Sequence, residues 1–201
     1  MAVVYILRNG DEDLFKVGWA MSLEERLRDH HTSNPRLAPF RVIEAESKAA
    51  ATACEAYLKG ILQSKRYPGS EEFFAMPAVE VEGAVEDARM YLAVDIPSQR
   101  EAERLAGEES DGRVLVPGDA EWEAWRRLLS AREAWCRADA EKTRLESELK
   151  LVMGTAAELK GVATWRTHTT TRLDEAALKA AEPEVWRTFR RESRVRRFLP
   201  Q

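Results

Sequence analysis

Tyr5, Lys16, Arg26, His30 and Glu55 supply a phenol, an ammonium, a guanidinium, an imidazole and a carboxylate from separate segments of the chain. Gathered at one point, that set suits hydrolysis of a phosphodiester. Water needs a proton acceptor, a role open to Tyr5 or His30. The pentavalent transition state gains negative charge, which Arg26 and Lys16 can stabilise. A divalent cation on Glu55, Mg²⁺ or Mn²⁺, can activate the water or hold the leaving oxygen. Mg²⁺ often binds through one carboxylate plus water and substrate phosphate, so a lone Glu is chemically sufficient. Each residue also has an ordinary structural reading. Tyr5 suits a half-buried strand, Arg26 and His30 suit a solvated helix face, and Glu55 suits the exposed back of a helix.

Whether the five can meet depends on the elements that carry them. "VVYILR" (3–8) and "LFKVGW" (14–19) are rich in β-branched and aromatic residues and flank the turn-forming "NGDED". They predict a hairpin, in which Tyr5 and Lys16 can emerge on the same side. Ser22 reads as an N-cap, and Glu25 three residues on completes a capping box. The helix so begun runs to about His31, and Arg26 and His30, four apart, share one of its faces. "FRVIEAE" (40–46) alternates like a strand, and "SKAAATACEAYLKGILQSKR" (47–66) predicts a helix capped by Ser47. Glu55 is an odd carboxylate there, with apolar Cys54, Leu58 and Ile61 around it. "AVEVEGAVEDARMYLAV" predicts another helix. The order is that of a compact α+β domain on a small sheet.

The succession VYIL, FKVGWA, SLEERLRDHH, ACEAYLKGIL and SEEFF resembles a GIY-YIG nuclease domain over residues 1–95. It is most similar to the phage and bacterial branch whose second motif reads KIG and whose last block reads EWF. The resemblance implies a small mixed sheet flanked by helices, and a metal-dependent DNA endonuclease in a phage or prophage setting. It makes Tyr5 the tyrosine of the first motif and Lys16-Val17-Gly18 the second motif. Arg26 and His30 become the R-x-x-x-H pair, and Glu55 the metal-binding glutamate. Val3 replaces the first glycine of the name motif, and Lys16 replaces the second tyrosine, which leaves the general base open. The family's late asparagine has no counterpart near Glu72–Phe74.

Residues 96–118, charged and broken by Pro and Gly, read as a linker. Residues 119–152 predict one long amphipathic helix with Trp122, Trp125, Leu129, Leu145, Leu149 and Val152 as its stripe. At roughly 50 Å it cannot cover that stripe alone, so a homodimer through this helix is one expectation, and cover by its own tail or by the first domain are others. Residues 163–173 are Thr-rich and β-leaning. Two short helices follow, with Pro183 in the first turn of the second. In 185–199, Arg187, Arg190, Arg191 and Arg194 follow helical spacing and predict a basic stripe. With Arg166, Arg172, Arg196 and Arg197 they are the candidate nucleic-acid contacts. Residues 145–199 also resemble the tail of YqaJ-type phage recombination exonucleases, through Trp165, Arg172, Asp174, Pro183, Arg196, Arg197 and Phe198. That resemblance implies DNA engagement or assembly without catalysis, since the nuclease core of that family is lacking.

The net charge of −4 conceals a split, because from Trp165 to Gln201 nine basic residues face five acidic ones. Local basic surface, not the total, sets phosphate affinity. Cys54 and Cys136 lie far apart in no metal spacing, which argues against a disulfide framework or a zinc site. No apolar run approaches the ~18 residues of a membrane span. No basic leader precedes a cleavage site, so the expected address is the cytoplasm, with no membrane partner. The reading is a metal-dependent DNA endonuclease domain with a C-terminal DNA-engaging or assembly region. The rival is a catalytically inactive DNA-binding or protein-interaction protein with an anti-defence or recombination accessory role.

Overall fold

Alternation in the first 45 residues builds three strands, and a fourth joins them later. The computed structural model describes residues 1–191 and 198. It divides into one unit of Met1–Ala106 and a second of Gly107–Gln201. In the first unit β1 (Ala2–Asn9) and β2 (Leu14–Ala20) form an antiparallel hairpin that sets Tyr5 opposite Gly18 and Leu7 opposite Lys16. The pleat sends alternate residues to one face, so Tyr5 and Lys16 share a side.

β3 (Leu37–Ala45) pairs with the other edge of β1, and β4 (Phe73–Ala75) pairs with β2 across Leu14–Lys16 only. The order is β3-β1-β2-β4, and every pairing is antiparallel. The mixed sheet expected from the resemblance does not form. β2 and β3 do run parallel to each other, linked by helix α1 (Leu23–Ser33), but β1 lies between them and no parallel pair results.

Each face of the sheet has its own cover. Val4, Ile6, Phe15 and Val17 point into the main core. They pack there with α2 (Lys48–Ile61) and α3 (Ala78–Met90), through residues such as Ala51, Cys54, Leu58, Val81 and Val85. On the other face Tyr5, Leu7, Ala20 and Leu37 are covered by Leu23 and Leu27 of α1 and by Phe73. Both predicted caps are present: the Ser22 and Ser47 hydroxyls accept the backbone N–H of Glu25 and Ala50.

The third helix outruns its predicted end. Residues 91–95 form a π-helical turn, and α4 (Ile96–Ala106) follows directly, so the first half of the segment read as linker is helical. A wider turn just ahead of Pro97 accommodates a residue that has no N–H and whose ring crowds the preceding turn. Residues 109–118 carry no regular structure.

In the second unit α5 (Asp119–Met153) fills the predicted span. Its apolar residues do not make one stripe. The 16 residues from Leu129 to Leu145 rotate the helix about 160° beyond whole turns, so Trp122, Trp125 and Leu129 face away from Leu145, Leu149 and Val152. β5 (Glu158–Leu159) and β6 (Ala163–Thr164) make a two-residue ladder. The Thr-rich stretch after it finds no pairing partner among the described residues and stays irregular. α6 (Glu175–Ala181), capped by Asp174, and α7 (Pro183–Phe189) complete the unit. Cys54 and Cys136 are free thiols. Among the described residues no helix is long and apolar enough to cross a membrane.

Candidate active site

The shortness of β4 creates the site. Its three residues cover β2 only as far as Lys16, and the Glu72 carbonyl takes the Val17 N–H at 3.0 Å. Among the described residues, no strand neighbours that edge of β2 from Gly18 to Ala20. A cleft of about 500 Å³ opens there, lined among others by Tyr5, Gly18, Arg26, Glu55 and Glu72. Arg26 reaches it from α1 and Glu55 from α2, elements on opposite faces of the sheet.

Tyr5 is the centre of the arrangement. Its side chain lies across Gly18, where a Cβ would sit 2.5 Å from Cζ and 2.8 Å from Cε2. Its hydroxyl accepts a hydrogen bond from Arg26 Nε at 3.3 Å and lies 3.1 Å from His30 Nε2. The Tyr5 and His30 rings meet edge to face, with centroids 5.9 Å apart. With Arg26 donating, the Tyr5 O–H is left to donate to a neutral His30.

The electrostatics agree with that protonation pattern. Burial pushes the Tyr5 phenol above its ordinary pKa, which the Arg26 hydrogen bond and charge oppose in part. The Tyr5 hydroxyl in turn raises the Arg26 guanidinium. Burial, then the positive charges of Lys16 and Arg26, hold the His30 imidazole below its ordinary value. At neutral pH the network is a neutral phenol, a neutral imidazole and a cationic guanidinium.

Lys16 is buried and pairs with the Glu72 carboxylate, its Nζ 5.1 Å from the centre of the Phe73 ring. Burial raises the Glu72 carboxyl, but the bond and charge of Lys16 outweigh it and bring the value below the ordinary carboxylate range. Glu72→Gln is expected to strand a buried ammonium and cost about 1–3 kcal/mol of stability. A second change, Lys16→Met, should recover most of that loss; urea unfolding of the single and double variants checks it.

Glu55 is largely covered, with 18% of its side chain exposed, and forms a 3.0 Å ion pair with Lys59 one turn on. It lines the cleft through which Tyr5 is reached, and its charge helps raise the Tyr5 phenol. Among the described residues no group of three or more His, Cys, Asp or Glu could hold a metal. A cation here would rest on Glu55, with Glu72 in the same cleft and water and phosphate completing its shell. That donor set suits Mg²⁺, which keeps several waters.

Three acidic wall residues escaped the sequence reading. Glu72 is signalled by the SEEFF block, which marks the place without giving the Lys16 pairing. Glu25 and Asp29 flank Arg26 on α1 and line the same cleft; the spacing marks Glu25 only as a capping residue and gives no signal for Asp29.

The predicted basic helical stripe is shorter than expected. α7 ends at Phe189, and Arg190 is already extended, so Arg190 and Arg191 lie beyond the helix. Arg187 pairs with Glu184, Arg166 with Glu158, and the Arg190 guanidinium stands 5.4 Å from the centre of the Trp186 ring. Arg172 and Arg191 are exposed. Arg194, Arg196 and Arg197 lie outside the described residues.

No curated protein and no solved structure matches the chain. Residues 2–89 match the family model of the T5orf172 domain, a domain associated with GIY-YIG-like and HNH-type nucleases in phage-related proteins.

Proposed function

We propose that the first unit is a GIY-YIG-type endonuclease that hydrolyses DNA phosphodiesters with Mg²⁺ or Mn²⁺. The observation that carries this reading is the Tyr5 hydroxyl, held between Arg26 and His30 in a cleft that Glu55 also lines. Tyr5 takes the proton of the attacking water as His30 Nε2 takes the proton of Tyr5, so no free phenolate is needed. Arg26 faces the phosphate and stabilises its growing negative charge. Glu55 holds the metal, which when bound supplies Lewis-acid stabilisation of the phosphate oxygens. Lys16, tied to Glu72, adds positive potential behind Tyr5. The exposed arginines of the second unit, Arg172 and Arg191 among them, give sequence-independent affinity that falls steeply with salt.

Labelled linear, single-stranded and branched DNA, incubated with Mg²⁺, Mn²⁺ or EDTA, tests the reading. Cleavage in either metal and none in EDTA supports it. No metal-dependent cleavage of any substrate favours the inactive DNA-binding alternative. The acid side of the rate profile carries a further expectation. A neutral His30 is the proton acceptor, and burial with the Lys16 and Arg26 charges holds its pKa below the ordinary imidazole value. The rate should therefore stay level through the range where an ordinary imidazole titrates, then fall about tenfold per pH unit below the depressed pKa. The same limb should vanish in His30→Gln, leaving a slow, flat profile.

A further inference from the structure

The face of α5 that carries Leu145 and Leu149 follows a seven-residue repeat. Its first core positions are Leu128, Trp135, Lys142 and Leu149, and its second are Ala124, Ala131, Ala138, Leu145 and Val152. Trp135, Leu145, Leu149 and Val152 are exposed. We propose that this seam pairs antiparallel with the same seam of a second copy of the chain.

In antiparallel pairing, first core positions face second ones, and one register satisfies all of them. Leu128 meets the partner's Leu145, Trp135 meets the partner's Ala138, and Leu149 meets the partner's Ala124. The largest side chain thus faces one of the smallest. Lys142 meets the partner's Ala131, where its stem lies along the seam and its ammonium reaches water. The flanks agree: Arg127 falls beside the partner's Glu148, and Arg132 beside the partner's Asp139. Two-fold symmetry makes four such opposite-charge contacts.

The parallel alternative fails on the same residues. It stacks Lys142 on its own copy, sets Arg127 beside the partner's Arg132, and sets Glu141 beside the partner's Glu146. Like charges at those positions disfavour a pairing.

The ion pairs within the chain point the same way. Arg126, Arg137, Arg144 and Lys150, off the seam, each pair with a Glu three or four residues away. Arg127, Arg132 and Asp139, on its flanks, have no ion-pair partner among the described residues; Glu148 is shared with Arg144. In the pair, the two tethers at 109–118 enter a rod roughly 50 Å long from opposite ends.

Sedimentation equilibrium of the full chain is expected to give twice 22.8 kDa. Arg127→Glu with Arg132→Glu should weaken association at least tenfold. Adding Asp139→Arg and Glu148→Arg should restore it, with circular dichroism showing every variant equally helical. A nitroxide on Arg126→Cys, in a Cys136→Ser background, should lie about 30 Å from its mate along the rod. A monomer at micromolar concentration, its seam covered by its own tail, overturns the proposal. So does a dimer indifferent to the charge reversals, or a label separation below about 20 Å. None of these readouts depends on nuclease activity.

Discussion

Glu55→Ala is expected to lower DNA cleavage in Mg²⁺ by at least about 10³-fold, or about 4 kcal/mol of transition-state stabilisation. The size follows from the role proposed for Glu55 as the metal-holding carboxylate, since no group of three or more His, Cys, Asp or Glu among the described residues could hold an ion in its place. Its replacement leaves Glu72 in the cleft beside Glu25 and Asp29, and Glu72 is engaged by Lys16. Stability should change little. Glu55 pairs with Lys59 within one helix, and such i,i+4 pairs contribute about 0.3–0.5 kcal/mol. Cleavage rates beside thermal melts of the same preparation separate the two effects. A folded variant that cleaves at the parent rate would remove Glu55 from the mechanism.

Gly18→Ala is expected to lose about 10²-fold or more in activity and about 1–3 kcal/mol in stability. Gly18 does not adopt a positive φ, so its backbone conformation alone would accept alanine. The obstacle is Tyr5. The new methyl would occupy space taken by the Tyr5 hydroxyl and ring, and Tyr5 is only 1% exposed, so the ring has little room to move. Displacing it breaks the contacts to Arg26 and His30 together. Gly60→Ala is the matching control: a helical glycine with nothing within 4 Å of its added methyl should gain up to about 1 kcal/mol. Denaturant unfolding of both variants, with cleavage rates, checks the contrast. Unchanged activity in Gly18→Ala would mean that the Tyr5 position does not matter to catalysis.

The two substitutions probe different parts of one arrangement. Glu55 comes from the layer that packs on Val4 and Ile6, whereas Tyr5 belongs to the opposite face. Their meeting depends on the open edge of β2, so lengthening β4 beyond Lys16 would close the site without touching any of its side chains.

Local chemistry alone determined much of this protein. Period-two apolar runs specified β1 and β2, and their pairing puts Tyr5 and Lys16 on one face. The hydroxyls of Ser22 and Ser47 specified where α1 and α2 begin, and four-residue spacing put Arg26 and His30 together. Those signals act between residues a few positions apart, and the sequence displays them directly. Only the tertiary structure decided the rest. β1 separates the two strands that would have made a parallel pair. β4 stops after three residues, Glu72 meets a lysine 56 positions away, and Pro97 is absorbed into a continuing helix. The strand order, the length of β4 and the Lys16–Glu72 pair are set by which distant surfaces fit together, and no local repeat in the chain encodes that fit.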